Sequence, residues 1–227
     1  MDRRSESAGI DAGLFAVARE IAAPIALMRQ LALMIAEDDK KREKMSRKLV
    51  STSERVLAQI EDLVRVSCLD GGLFAMEPVA VRGVCRDVTE EIARVLGVEL
   101  KVNYRNKQKL VVANRELLMA LLRQLCYLGV QNSENGTTAR LTVNDTKGRV
   151  RIAVRDYGPS LPRVVVRGIR AGSLNRLAPN EMRTGGLGLV VASRYVEHME
   201  GELGVVTHRD GVSLWVDLPV SRQIALC

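Results

Sequence analysis

The chain has 227 residues, a formal net charge of +7 and 47% hydrophobic residues, yet only one Trp, two Phe and four Tyr. That length suits one large domain or two small ones, each able to bury a core, and so few aromatics argue against a stacking platform for single-stranded nucleic acid. No zinc-ligand spacing occurs, and no apolar run approaches the roughly 20 residues that a membrane helix needs.

In chain order, Leu14, Val17, Ile21, Pro24/Ile25, Met28, Leu31 and Ile35 recur at alternating spacings of three and four, the seam of a coiled coil or bundle helix. Asp38-Asp39 marks a break. Met45, Leu49, Thr52, Val56, Ile60 and Leu63 then continue the pattern on a second helix, with a C-cap at Asp70-Gly71-Gly72. Two such helices form a hairpin with a long apolar face, and pairing two hairpins covers it, which predicts a homodimeric four-helix bundle. The expected boundaries are residues 1–72 for this hairpin and 73–227 for a second domain. The basic run from Lys40 to Lys48 falls near the hairpin tip, where a solvated surface is its plain reading.

Beyond Gly72 the texture changes. Val81, Val84, Cys85, Val88, Ile92 and Val95 trace a helix, and strand-like runs follow at Glu99 to Tyr104 and Lys109 to Ala113. Arg115 to about Val130 reads as an apolar helix. Alternating, β-branched runs at Ala139 to Val143 and Arg149 to Val154 flank a turn, as do Leu203 to Thr207 and Val212 to Leu218. Residues 161–183 read as irregular and basic, with Arg163, Arg167, Arg170, Arg176 and Arg183 fit to grip phosphates or an acidic surface. Leu187 to Glu200 reads as a helix. The sum is an α/β sandwich, a mixed sheet with helices on one face.

Two glycine motifs carry the chemistry. Val154-Arg155-Asp156-Tyr157-Gly158-Pro159-Ser160 follows a strand. It resembles the first glycine box of the ATP-binding domain shared by histidine kinases, type II topoisomerases, mismatch-repair ATPases and related chaperones. In that family the Asp accepts a hydrogen bond from the adenine amine. Asp156 and Gly158 match, and Ser160 stands at the second glycine. Thr184-Gly185-Gly186-Leu187-Gly188-Leu189 opens a helix and resembles the second box, with Thr184 at its leading glycine. Glycines at a helix N-terminus leave N–H groups facing phosphate.

The stretch Val17-Ala18-Arg19-Glu20-Ile21-Ala22-Ala23-Pro24-Ile25 completes the resemblance, being similar to the phosphoacceptor box of histidine kinases. Arg19 stands where that family has its His. A guanidinium stays protonated and offers no lone pair, so it cannot attack phosphorus. Glu20 matches the family's general base but has nothing to activate, and Ala23 replaces the residue that would position a phosphatase water. On the metal-binding helix of the family, anchoring on Ser133-Glu134-Asn135-Gly136 puts Gln124 at the first Asn and Leu128 at the one that holds Mg²⁺. Leucine has no oxygen for a hard cation. Gln131 and Asn132 lie nearby, but reaching them breaks the register of the helix's apolar face.

The fold expected is therefore α+β: a helical hairpin forming a dimeric four-helix bundle, then a sandwich of the histidine-kinase ATPase type. The resemblance implies a catalytically degenerate signalling protein. Its nucleotide-binding residues would be Gln124, Asp156, Gly158, Gly186, Leu187, Gly188 and Leu189, its ligand ATP or ADP, with Mg²⁺ not expected and no metal site. Its partners would be a second copy and a response-regulator-like receiver, with neither membrane insertion nor nucleic acid expected. The alternative is an active ATP-dependent kinase, ATPase or phosphotransfer protein using substitute residues, and a third reading has the basic surface bind nucleic acid. Cys68, Cys85 and Cys126 sit on helical patterns as buried thiols, and Met1 to Ser7 lacks the apolar centre of a signal peptide. Both point to the cytoplasm.

Overall fold

The computed structural model describes residues 22, 24–35, 42–105, 109–134, 137–146, 148–174 and 186–222. The chain divides into two compact units, Met1–Arg65 with Ala178–Leu187, and Val66–Leu177 with Gly188–Cys227. Among the described residues no helix is long and apolar enough to cross a membrane.

The first unit holds helix α1 over 24–35 and helix α2, Arg42–Cys68, which runs on into the second unit. Leu31 on α1 and Thr52 and Val56 on α2 are buried, as their place in the expected seam requires. Ile60 is not. It is 42% exposed and lines up with Val50, Leu57 and Val64, at 55%, 60% and 57%. The spacing of seven, three and four makes this a second heptad stripe on α2, beside the one that is buried. The sequence pattern merges the two because position 60 fits the spacing of both.

In the second unit, Gly72 takes φ 69 after a short 3₁₀ turn at Leu69–Gly71, the left-handed cap that glycine supplies without strain. Strand β1 (Glu77–Val79) pairs antiparallel with β3 (Val111–Ala113). Between them lie helix α3 (Val81–Leu96) and strand β2 (Lys101–Arg105). Helix α4 (Arg115–Asn132) follows, its N-terminus capped by Asn114, whose Oδ1 accepts from the N–H groups of Glu116 and Leu117 at 3.1 and 3.2 Å. Then come β4 (Arg140–Thr146), β5 (Arg149–Arg155), α5 (Arg163–Arg170), α6 (Gly186–His198), β6 (Glu202–His208) and β7 (Gly211–Pro219).

The main sheet runs β2-β4-β5-β7-β6, parallel at β2–β4 and antiparallel elsewhere. One face is apolar: Leu141, Val143, Val150, Ile152, Leu214, Val216 and Leu218 are buried there. Helix α4 approaches this face closely at Gly129, where an added Cβ would stand 2.7 Å from Val154 Cγ1. Cys85 and Cys126 are fully buried on α3 and α4, and burial pushes the Cys85 thiol up to about 12 and raises that of Cys126 as well. Cys68 is half-buried rather than buried.

Two elements differ from the sequence reading. β1 has three residues, too few to show alternation. Helix α5 lies inside the stretch read as irregular. Its β-branched residues Val164, Val165, Val166 and Ile169 and its Gly168 lower helix propensity, yet Val165 and Ile169 are buried one turn apart while Arg163, Arg167 and Arg170 point outward. Tertiary burial decides the matter, not propensity.

Candidate functional site

Strand β5 delivers Asp156 to the end of the sheet, where the chain is locked to the start of β7. The Asp156 N–H donates to the Val212 carbonyl at 2.9 Å, and the Val212 N–H donates back to Asp156 Oδ1 at 2.7 Å. The other carboxylate oxygen, Oδ2, accepts from Asn132 Nδ2 at 2.8 Å. Asn132 Nδ2 also donates to the Pro159 carbonyl at 3.0 Å, which fixes its orientation. Asp156 is 6% exposed. Each oxygen of a carboxylate takes about two hydrogen bonds, so one acceptor position remains on each.

The end of α4 is laced to the loop after β5. Glu134 N–H donates to the Tyr157 carbonyl at 3.1 Å, and Tyr157 N–H donates to Ser133 Oγ at 3.3 Å. Glycine is obligatory at two points of this junction. A Cβ on Gly158 would be driven into the Asn132 carbonyl oxygen, and a Cβ on Gly211, which has φ 150, into the Asp156 carbonyl oxygen. Gly158 thus serves close backbone approach to the end of α4.

On the same helix Gln124, Leu128 and Asn132 succeed one another at intervals of four and share a face. Gln124 reaches the second glycine motif: an added Cβ on Gly188 would stand 2.8 Å from Gln124 Oε1. Leu189 is buried. Among the predicted nucleotide-binding residues, Gln124 is therefore beside Gly188, and Asp156 beside Gly158 and the end of α4. Gly186 and Leu187 form the first two residues of α6. Arg19, Glu20, Ala23, Thr184 and Gly185 lie outside the described residues.

Asn132 is the residue that sequence reasoning passed over. Testing it as a metal ligand in Leu128's place gives the wrong register. The signal that finds it is its spacing of eight from Gln124, which returns it to the helix face that carries the site.

The donor set decides what could be held here. The Asp156 carboxylate and the glycines suit a purine amine and a phosphate chain. Between them α4 presents Leu128, flanked by two amides, one of them already committed to Asp156. That set does not fit Mg²⁺, which demands hard oxygen ligands in octahedral array.

Residues 113–222 match the family model described as histidine kinase-, DNA gyrase B-, and HSP90-like ATPase, and they form a domain of the histidine-kinase ATPase type. No curated protein matches the chain significantly in sequence. Among solved structures, the histidine kinase ThkA in complex with response regulator protein TrrA has a TM-score of 0.68 and 18% identity, over 96% of this chain and 64% of that one. Acinetobacter baumannii histidine kinase AdeS has a TM-score of 0.61 and 15% identity, over 89% and 98%. Full-length ShkA in complex with AMPPNP has a TM-score of 0.59 and 23% identity, over 87% of this chain and 47% of that one. At these identities the likeness is one of fold. The chain spans less than half the length of ShkA.

Proposed function

We propose that the chain is a catalytically degenerate histidine-kinase-like signalling protein of the cytoplasm, a dimeric scaffold or regulator in two-component-type signal transduction that binds ATP or ADP without Mg²⁺. The observation that carries this reading is Leu128. It occupies the site-facing line of α4 between Gln124, which meets Gly188, and Asn132, which binds Asp156. The base and phosphate ends keep polar groups and glycines, while the middle, where a metal would bridge the phosphates, has a side chain with no donor. Arg19 in the phosphoacceptor position removes the nucleophile independently. A receiver domain is the partner this reading implies, and the ThkA structure containing a response regulator supports it.

Isothermal calorimetry with ADP and ATP, with and without Mg²⁺, tests the proposal. Nucleotide should bind in both conditions with affinities within about threefold, a difference below 1 kcal/mol. Incubation with labelled ATP and a divalent metal should leave no acid-labile phosphate on the chain. Tight, strictly Mg²⁺-dependent binding with labelling would make the active-kinase alternative the better account. No binding at all would reduce the domain to a protein-docking scaffold.

The exposed stripe Val50, Leu57, Ile60 and Val64 supports association through α2. A heptad stripe of four aliphatic residues is what a second hairpin would cover in a four-helix bundle. Leu57→Glu, a change at an exposed position, should leave the helical content intact and shift the protein from dimer to monomer in sedimentation at micromolar concentration. Wild-type protein that already sediments as a monomer would remove this part of the proposal.

A further inference from the structure

The strand register gathers basic residues that are far apart in the sequence. On the face of the main sheet opposite α4, Lys101, Arg140 and Arg155 stand directly across from one another on β2, β4 and β5. Arg105 and Arg151 share the row four residues further along, separated by Asn144, and Arg149 follows two residues beyond. Neighbouring strands are about 4.8 Å apart and same-face residues about 6.6 Å, so these six cations lie within a patch roughly 10 by 20 Å. Lys101, Arg105 and Arg140 are exposed, and the other three half-buried.

Among the described residues, two carboxylates meet the β5 side of this patch. Asp217 takes Arg151 through both oxygens, at 2.7 and 2.6 Å, and Asp210 takes Arg155 at 2.6 Å. Arg149 donates to the carbonyls of Glu200 and Asp217, which orients it without cancelling its charge. Like charges placed opposite one another weaken a sheet, so the row Lys101–Arg140–Arg155 works against the fold's own stability.

The rest of the face narrows the occupant. A specific protein interface needs an apolar, desolvated centre with aromatic anchors. Here the intervening positions are Asn103, Thr142, Asn144 and Ala153. Trp215 is committed as well: Arg151 stacks on its ring at 3.8 Å, and Gly204 lies against it. Tyr157 is likewise covered, by Arg155 at 5.0 Å. Each of these rings already carries an arginine on one face, which disfavours the single-strand mode, where bases stack on open aromatics. Guanidinium and ammonium groups interspersed with amide and hydroxyl donors are what a phosphate backbone takes.

We infer that this sheet face is a sequence-independent binding surface for the phosphate backbone of double-stranded nucleic acid. It is independent of the nucleotide site and of the signalling role proposed above. The composition argues otherwise because it registers the shortage of aromatics, whereas the strand register shows that backbone contact needs none.

The test is fluorescence anisotropy of a labelled mixed-sequence duplex of about 20 base pairs, titrated with the full chain between about 50 and 200 mM salt. Wild type should bind, with a log Kd against log salt slope near 4. Lys101→Glu/Arg140→Glu should weaken binding at least about tenfold at 100 mM salt and lower the slope by about 2. Arg47→Glu/Lys48→Glu, the same charge change on exposed positions of α2, should weaken it less than about threefold. Both variants change exposed side chains, and unaltered melting curves would show that they are folded. The inference is overturned if wild type does not bind the duplex, if the two double variants lose equally, or if polyglutamate or phosphatidylserine vesicles compete as well per charge as unlabelled duplex.

Discussion

Gly158→Ala is expected to lower the melting temperature by roughly 6–12 °C and to abolish nucleotide binding, because the methyl group has nowhere to go. Its nearest neighbour would be the Asn132 carbonyl, which is main chain at the end of α4 and cannot rotate aside as a side-chain terminus would. Relief requires moving the loop after β5 away from the helix, which breaks the Glu134–Tyr157 and Tyr157–Ser133 hydrogen bonds together. A cost of about 3 kcal/mol lies at the upper end of overpacking, and each kcal/mol moves the midpoint of a chain this size by about 2–4 °C. Gly148→Ala is the comparison. Its φ is 76 but nothing lies within 4 Å of an added Cβ, so only backbone strain of about 1–2 kcal/mol applies. Calorimetric melts of both variants decide the matter, and equal shifts would show that the close approach to Asn132 is not what requires glycine at 158.

Asp156→Ala should have two separable effects. It removes the acceptor for the buried Val212 N–H and for Asn132 Nδ2, and a hydrogen bond to a charged group contributes about 1.5–3 kcal/mol. Asn132 keeps the Pro159 carbonyl, so the expected loss of stability is about 2–4 kcal/mol rather than twice the single value. ADP affinity should fall about tenfold or more as well, from the lost acceptor for the base amine. Asn132→Ala separates the two. It should cost about 1 kcal/mol of stability while leaving ADP affinity within about threefold, since Asp156 keeps its hold on Val212. Denaturant melts and calorimetry read both quantities. An Asp156→Ala protein as stable as wild type would contradict the structural role.

The second unit was largely legible in the sequence, and the reason is burial on one face only. In β4, β5 and β7 apolar and polar residues alternate because one side meets helices and the other does not, and α3 carries a clear period of 3.6. Helix α5 was hidden by valines that favour strands in isolation, and β1 by its length. On α2 the two stripes were indistinguishable, since an apolar residue facing the bundle interior and one facing a second copy look alike in a single sequence. At the site, Asp156, Gly158 and Gly188 could be found because each stands in a motif of fixed order. Asn132 could not, because its part depends on where the loop after β5 lands. The basic sheet face was illegible for a similar reason. Lys101, Arg140 and Arg155 are adjacent only after the parallel crossover to β2 and the β4–β5 hairpin have formed.

The place of β7 has a consequence for how the protein is made. This strand lies between β5 and β6, and its Val212 is what holds the Asp156 carboxylate. During synthesis, β5 leaves the ribosome more than fifty residues ahead of the strand that will sit beside it. Until then Val150, Ile152 and Val154 lie on an edge with unpaired backbone groups, which is a template for joining other chains. A nascent chain stalled before β7 would therefore be both unable to shape its nucleotide site and prone to self-association, and the two properties should disappear at the same point of elongation.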